Sequence, residues 1–134
     1  MAKKNKGPFK KEVKHYVDLL YMTPLEVHSK DLSLLFGKNT DIEVQLWEEF
    51  HVLELELPTK NTVDLENIEV QFKDPSDASF VKNRNIKTIY AIHLCEEDLE
   101  TFVNYFEPII EQYQGFLCAD SDDFNPVYLG STKR

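Results

Sequence analysis

A chain of 134 residues with 42% hydrophobic and 12% aromatic side chains is the size of one ordinary domain and too apolar to be disordered. Its formal net charge of −9 is unevenly spread: residues 1–14 hold six lysines against Glu12, a net +5, so the remaining 120 residues carry −14. Such a body repels phosphate backbones and favours basic partners.

No run approaches the ~20 apolar residues of a membrane span. No apolar stretch follows the first lysines to make a secretory signal, so a cytoplasmic protein is expected. The two cysteines, Cys95 and Cys118, require no disulfide framework and read as free thiols in the core.

In chain order, residues 1–8 form a basic arm and residues 9–134 a single domain. Phe9, Val13, Tyr16, Val17 and Leu20 recur at helical spacing. Pro8 suits a first helical turn and Thr23-Pro24 a stop, so a helix is expected there. The rival is a strand over His15–Met22, where Val17, Leu19 and Tyr21 alternate. A short helix follows, with Ser29 as N-cap and Gly37 as its stop. In Asp41–Leu57 the alternation changes face: Ile42, Val44 and Leu46 have one parity, Leu53, Leu55 and Leu57 the other. Two short strands, or one bent strand, accommodate that shift near Trp47-Glu48-Glu49-Phe50. The rival is a helix opened by a capping box at Thr40–Glu43. Pro58–Thr62 is a connection, Ile68, Val70 and Phe72 mark a strand with one wet face, and Lys73–Asp77 is loop chemistry.

The C-terminal third is the clearest. Ile86–Cys95 is apolar on both faces, as a covered central strand would be. Leu99, Phe102, Val103, Phe106, Ile109, Ile110 and Tyr113 form one helical stripe over 97–113, with a kink expected at Pro108 and a stop at Gly115. Phe116–Ala119 is a second buried strand, and an acidic turn runs from Asp120 to Pro126. A strand, helix and strand in this order make a parallel unit if the strands are close neighbours. The other connections are too short for crossovers. The expected fold is therefore α+β: a single two-layer domain with a mixed, mainly antiparallel sheet and helices packed on one face.

Nothing in the sequence rises to a catalytic signature. The Asp120-Ser121-Asp122-Asp123 cluster offers carboxylates for a hard cation, but the EF-hand positions 6 and 12 counted from Asp120 are Asn125 and Ser131. Its simpler reading is a solvated turn with aspartates bonded to local amides. His15, His28, His51 and His93 show no zinc-type spacing, and His93 beside Cys95 reads as a core histidine among buried thiols. Phe124, among acids, is either a contact anchor or a plug for the end of the core. Trp47 has two matching readings, core or outward-turned.

The function expected is that of a small acidic, non-enzymatic protein-binding domain with no metal or other cofactor. Its specific form is an inhibitor or immunity-type protein that neutralises a basic, nuclease-type toxin. Carboxylates in a cationic cleft compete with phosphate and speed association. Asp120, Asp122, Asp123, Glu48 and Glu49 would be its charged contacts, with Phe124 and Trp47 as anchors. Two alternatives belong to other classes. One is a metal-dependent enzyme using the Asp120–Asp123 turn with His93 or His51. The other is a regulatory module that places the lysine arm on RNA or an anionic surface.

Overall fold

The computed structural model describes residues 13–132. The basic arm, Phe9 and the start of the first expected helix lie outside them. Seven strands form one sheet: β1 (Tyr16–Thr23), β2 (Glu43–Trp47), β3 (Val52–Glu56), β4 (Thr62–Ile68), β5 (Thr88–Cys95), β6 (Phe116–Ala119) and β7 (Val127–Gly130). The helices are α1 (Ser29–Phe36), α2 (Pro75–Asn83) and α3 (Leu99–Tyr113). The strand order is β2-β3-β4-β5-β1-β6-β7 and every neighbouring pair is antiparallel. This is an α+β domain. Strands β5 and β6 do run parallel to each other, as the strand–helix–strand reading requires, but β1 lies between them and pairs with both.

The first expected helix is, over its described part, the central strand β1. This is the rival strand reading over His15–Met22: from Leu19 to Met22 both faces are buried, so apolar Leu20 and Met22 mask the alternation of Val17, Leu19 and Tyr21. Leu19 and Tyr21 join the core under α1 and α3, whereas Leu20 and Met22 point to the other side. In 41–57 the two-strand reading holds. The face shift is a hairpin whose turn is the 3₁₀ segment Glu48–Phe50, closed by His51 in the left-handed region at φ 56°.

Further corrections are local. Helix α1 is capped one residue early, by His28, whose N–H donates to Asp31 Oδ2 at 3.0 Å. Gly37 stops it with φ −66°, not in a left-handed turn. The strand expected at Ile68–Phe72 lies earlier, as β4, where Val63 and Leu65 are fully buried and Asp64 and Glu66 are exposed. The supposed loop at Lys73–Asp77 opens α2: Asp74 accepts from the Ser76 N–H at 2.7 Å and Pro75 holds the first turn. That Asp-Pro pair was the available signal. Helix α3 has the expected stripe, with Phe102, Phe106 and Ile109 buried, and runs through Pro108 as one element.

The larger core lies where α1 and α3 pack on one sheet face, around Phe36, Phe102, Phe106, Tyr21 and Leu65. On the opposite face a smaller cluster of Leu20, Met22, Ile89, Phe116 and Cys118 is closed by Val81 of α2, Ile86 and Phe124. It covers one end of that face only.

Candidate binding surface

Antiparallel register decides which side chains share a face, because directly opposed residues point the same way. Leu46, Leu53, Leu65, Ile92 and Leu19 are opposed in one unbroken row toward α1 and α3. The adjacent row therefore faces away from them. It reads Gln45, Glu54, Asp64, His93 and Asp18. The Asp120 N–H donates to the Asp18 carbonyl at 3.0 Å and extends the row past the end of β6. Glu43 and Glu56 oppose each other one step along the strands on one side, and Glu66 lies one step along on the other.

The result is an open sheet face with carboxylates at Asp18, Glu43, Glu54, Glu56, Asp64, Glu66 and Asp120. Each is exposed or half-buried. No lysine or arginine occupies a strand position of this face among the described residues. Asp18, Asp64, Glu66, Ala91, His93 and Asp120 line a shallow depression in it. His93 Nδ1 lies 2.8 Å from Asp18 Oδ1, and its ring stacks on Tyr16 with centroids 4.9 Å apart. His93 is thus satisfied, as expected, but exposed instead of being in the core. Burial, then Asp18, then Asp77 raise the Asp120 carboxyl above its ordinary value.

The expected contact residues divide. Asp120 joins the sheet face. Asp122 and Asp123 are exposed in the following turn. Asp123 Oδ1 accepts from the Asn125 N–H at 3.1 Å and from Ser121 Oγ at 3.2 Å, and the Asn125 contacts hold its carboxyl below the ordinary value. This is the local turn chemistry weighed for the motif. Phe124 is 3% exposed and packs on Phe80 and Phe72 at ring distances of 4.6 and 5.8 Å. It is the plug, and burial removes it as a contact anchor. Glu48 and Glu49 are exposed on the β2–β3 turn. That turn is four strand steps from β6, about 19 Å at ~4.8 Å per step, so the seven residues do not form one patch. Trp47 is 37% exposed at the end of β2 and opposes Val52 on the acidic face, so it is not a core tryptophan. Sequence reading missed Asp18, Glu43, Asp64 and Glu66 because their strands were misplaced or their register was unknown.

The metal reading gains nothing from this geometry. The Asp120–Asp123 turn is not gathered with His93 or His51 at ligand spacing among the described residues. The one such group, Cys95, Glu97 and Asp98, has its ligand atoms within 4.8 Å of one another. There Asn61 Nδ2 already donates to Glu97 Oε2 at 2.7 Å and to Asp98 Oδ2 at 2.8 Å. A thiolate nucleophile is equally disfavoured at Cys118, where burial, with Asp120 second, pushes the thiol up to about 12. Among the described residues no helix is long and apolar enough to cross a membrane.

Comparison with protein-family models, curated proteins and solved structures finds no match to this chain.

Proposed function

We propose that this chain is a non-enzymatic binding domain whose acidic sheet face recognises a cationic protein, and that it works in the cytoplasm as an inhibitor or immunity-type partner of a basic, nuclease-type toxin. The observation that carries the reading is the direct opposition of like charges, Glu54 against Asp64 and Glu43 against Glu56. Opposed like charges destabilise a sheet. A surface needing only solubility would intersperse signs. A face that concentrates one sign against its own stability suits a partner of the other sign, which neutralises the repulsion and is drawn in rapidly. Asp18, Glu54, Asp64, Glu66 and Asp120 are its charged contacts, with Tyr16 and Trp47 as aromatic ones at the margins.

The test is capture from the source cell with the tagged chain and, in parallel, with a D18N/E54Q/D64N/E66Q variant. A stoichiometric basic protein held by the parent, released by salt and lost by the variant supports the reading. Assay of that protein's nuclease activity with and without the chain then decides the inhibitor form. Equal capture by both chains, or no basic protein on either, overturns it.

A further inference from the structure

Strand β2 ends the sheet, with no described strand beyond it. The direction of its backbone groups follows from two bonds of the neighbouring pair. The Asn67 N–H donates to the His51 carbonyl at 3.0 Å, and the Leu57 N–H donates to the Asn61 carbonyl at 2.9 Å. His51 and Leu57 flank β3, so their backbone groups, and those of Leu53 and Leu55 between them, point toward β4. Backbone direction alternates along a strand, so Val52, Glu54 and Glu56 bond instead to their opposites on β2, which are Trp47, Gln45 and Glu43. Val44 and Leu46 then turn their N–H and C=O outward, where no described residue pairs with them. Their side chains lie on the face toward α1 and α3 and are half-buried, whereas the opposed Leu55 and Leu53 are fully buried. One further strand would satisfy the backbone and complete that burial. Proline, lysine and bulges, which blunt sheet edges, are all absent from β2. The opposite edge, β7, has a register shift against β6 and Pro126 just before it.

We infer that β2 accepts an added antiparallel strand from a basic protein, an extended segment in which lysine or arginine alternates with apolar residues. Register supplies that pattern. Residues opposite Glu43, Gln45 and Trp47 would lie on the acidic face, and residues opposite Val44 and Leu46 on the apolar one. Charge decides against a second copy of this chain as the occupant. From Asp41 to Glu49 there are four acids and no lysine or arginine. Two copies paired antiparallel about Gln45 would set Asp41 of each against Glu49 of the other, a destabilising opposition. A cationic strand meets opposite charge at the same positions. Trp47 and Phe50, exposed at one end of β2, offer it aromatic contact. In such strand addition the main-chain bonds give affinity and the alternate side chains give specificity. The inference rests on the cationic-partner reading above and adds how that partner is held.

Amide hydrogen exchange of the full chain, read by NMR, tests it with the acetylated and amidated peptide Lys-Val-Lys-Val-Lys-Val-Lys as the probe. At saturation the Val44 and Leu46 amides should exchange at least about ten-fold more slowly. The same peptide N-methylated at its valines cannot donate to the Val44 and Leu46 carbonyls. It should bind at least about ten-fold more weakly, the loss expected for two hydrogen bonds. Val44→Pro removes one outward N–H and no bond of the sheet, so it should fold as the parent does and bind the peptide at least about three-fold more weakly. If that variant does not fold, the comparison of the two peptides on the parent chain decides alone. Unslowed exchange at Val44 and Leu46, equal affinity for the two peptides, or no binding of either overturns the inference. The capture experiment separates it from the reading it rests on. A basic protein lost by the D18N/E54Q/D64N/E66Q variant but held equally by a folded Val44→Pro chain leaves the cationic partner standing and overturns the added strand.

Discussion

Asp18 and Asp120 are joined through their backbones, the Asp120 N–H donating to the Asp18 carbonyl at 3.0 Å, and this bond sets their carboxylates side by side on the acidic face. Burial and that neighbour raise the Asp120 carboxyl above its ordinary value. A raised carboxyl binds its proton more tightly in the folded chain. Its stabilising contribution is thus full below the unfolded pKa and lost as pH rises through the folded one. At neutral pH the charged group opposes folding. Asp120→Asn should therefore raise stability at pH 7 by about a few tenths of a kcal/mol, a value kept small by solvent screening. The gain should vanish as pH falls below the carboxylate range. Urea unfolding of both chains across that range checks the sign.

The opposed pair Glu54 and Asp64 makes a stronger demand. Glu54→Lys converts a repulsion into an attraction without touching the core, since Glu54 sits on the face away from α1 and α3. It should stabilise the fold by about 0.2–1 kcal/mol at low salt and weaken a cationic partner. Octalysine serves as a probe for the second effect. A variant that gains stability while losing affinity would show that the face gives up stability for binding.

Phe106 and Phe124 separate packing from contact. Phe106 is fully buried and packs on Tyr21, Phe36 and Phe102, with the Tyr21 ring 4.9 Å away. Phe106→Ala should cost about 3–5 kcal/mol in denaturant unfolding. Phe124→Ala should fall in the same range, about 3–5 kcal/mol, because Phe124 closes the smaller cluster beside Phe80. Under conditions where it remains folded, it should bind octalysine as the parent does. A selective loss of binding would return Phe124 to the contact surface.

These residues also mark what the sequence made legible. The stripe around Phe106 was readable because a helix repeats its buried positions locally. The face shift at Trp47–His51 was readable for the same reason, as a change of parity within a few residues. The acidic face was not. Asp18 lies 36 residues before Glu54, Asp64 ten after it, and the three meet only through register, which depends on which strands are neighbours. Strand β1 was legible only as a rival to a helix, because Leu19–Met22 is buried on both faces and its apolar residues mask the alternation of Val17, Leu19 and Tyr21. The turn at Asp120–Pro126 drew attention by its composition, yet most of its polar groups bond to one another.

Asn61 offers the last test, at the other end of the sheet. It is 8% exposed, accepts from Lys14 Nζ at its Oδ1, and donates through Nδ2 to Glu97 and Asp98. Asp98 is 2% exposed, and its remaining side-chain donor is Thr59 Oγ1 at 3.0 Å. Asn61→Ala takes one donor from a buried carboxylate and should cost about 1–3 kcal/mol. Asn61→Asp replaces that donor with a third carboxylate and should cost more at neutral pH, because like charges then meet beside the buried Asp98. Equilibrium urea unfolding of the two variants ranks them. If Asn61→Asp proved the milder change, the amide would not be the group that holds Glu97 and Asp98 together, and a cation bridging the carboxylates would replace it as the account of this cluster.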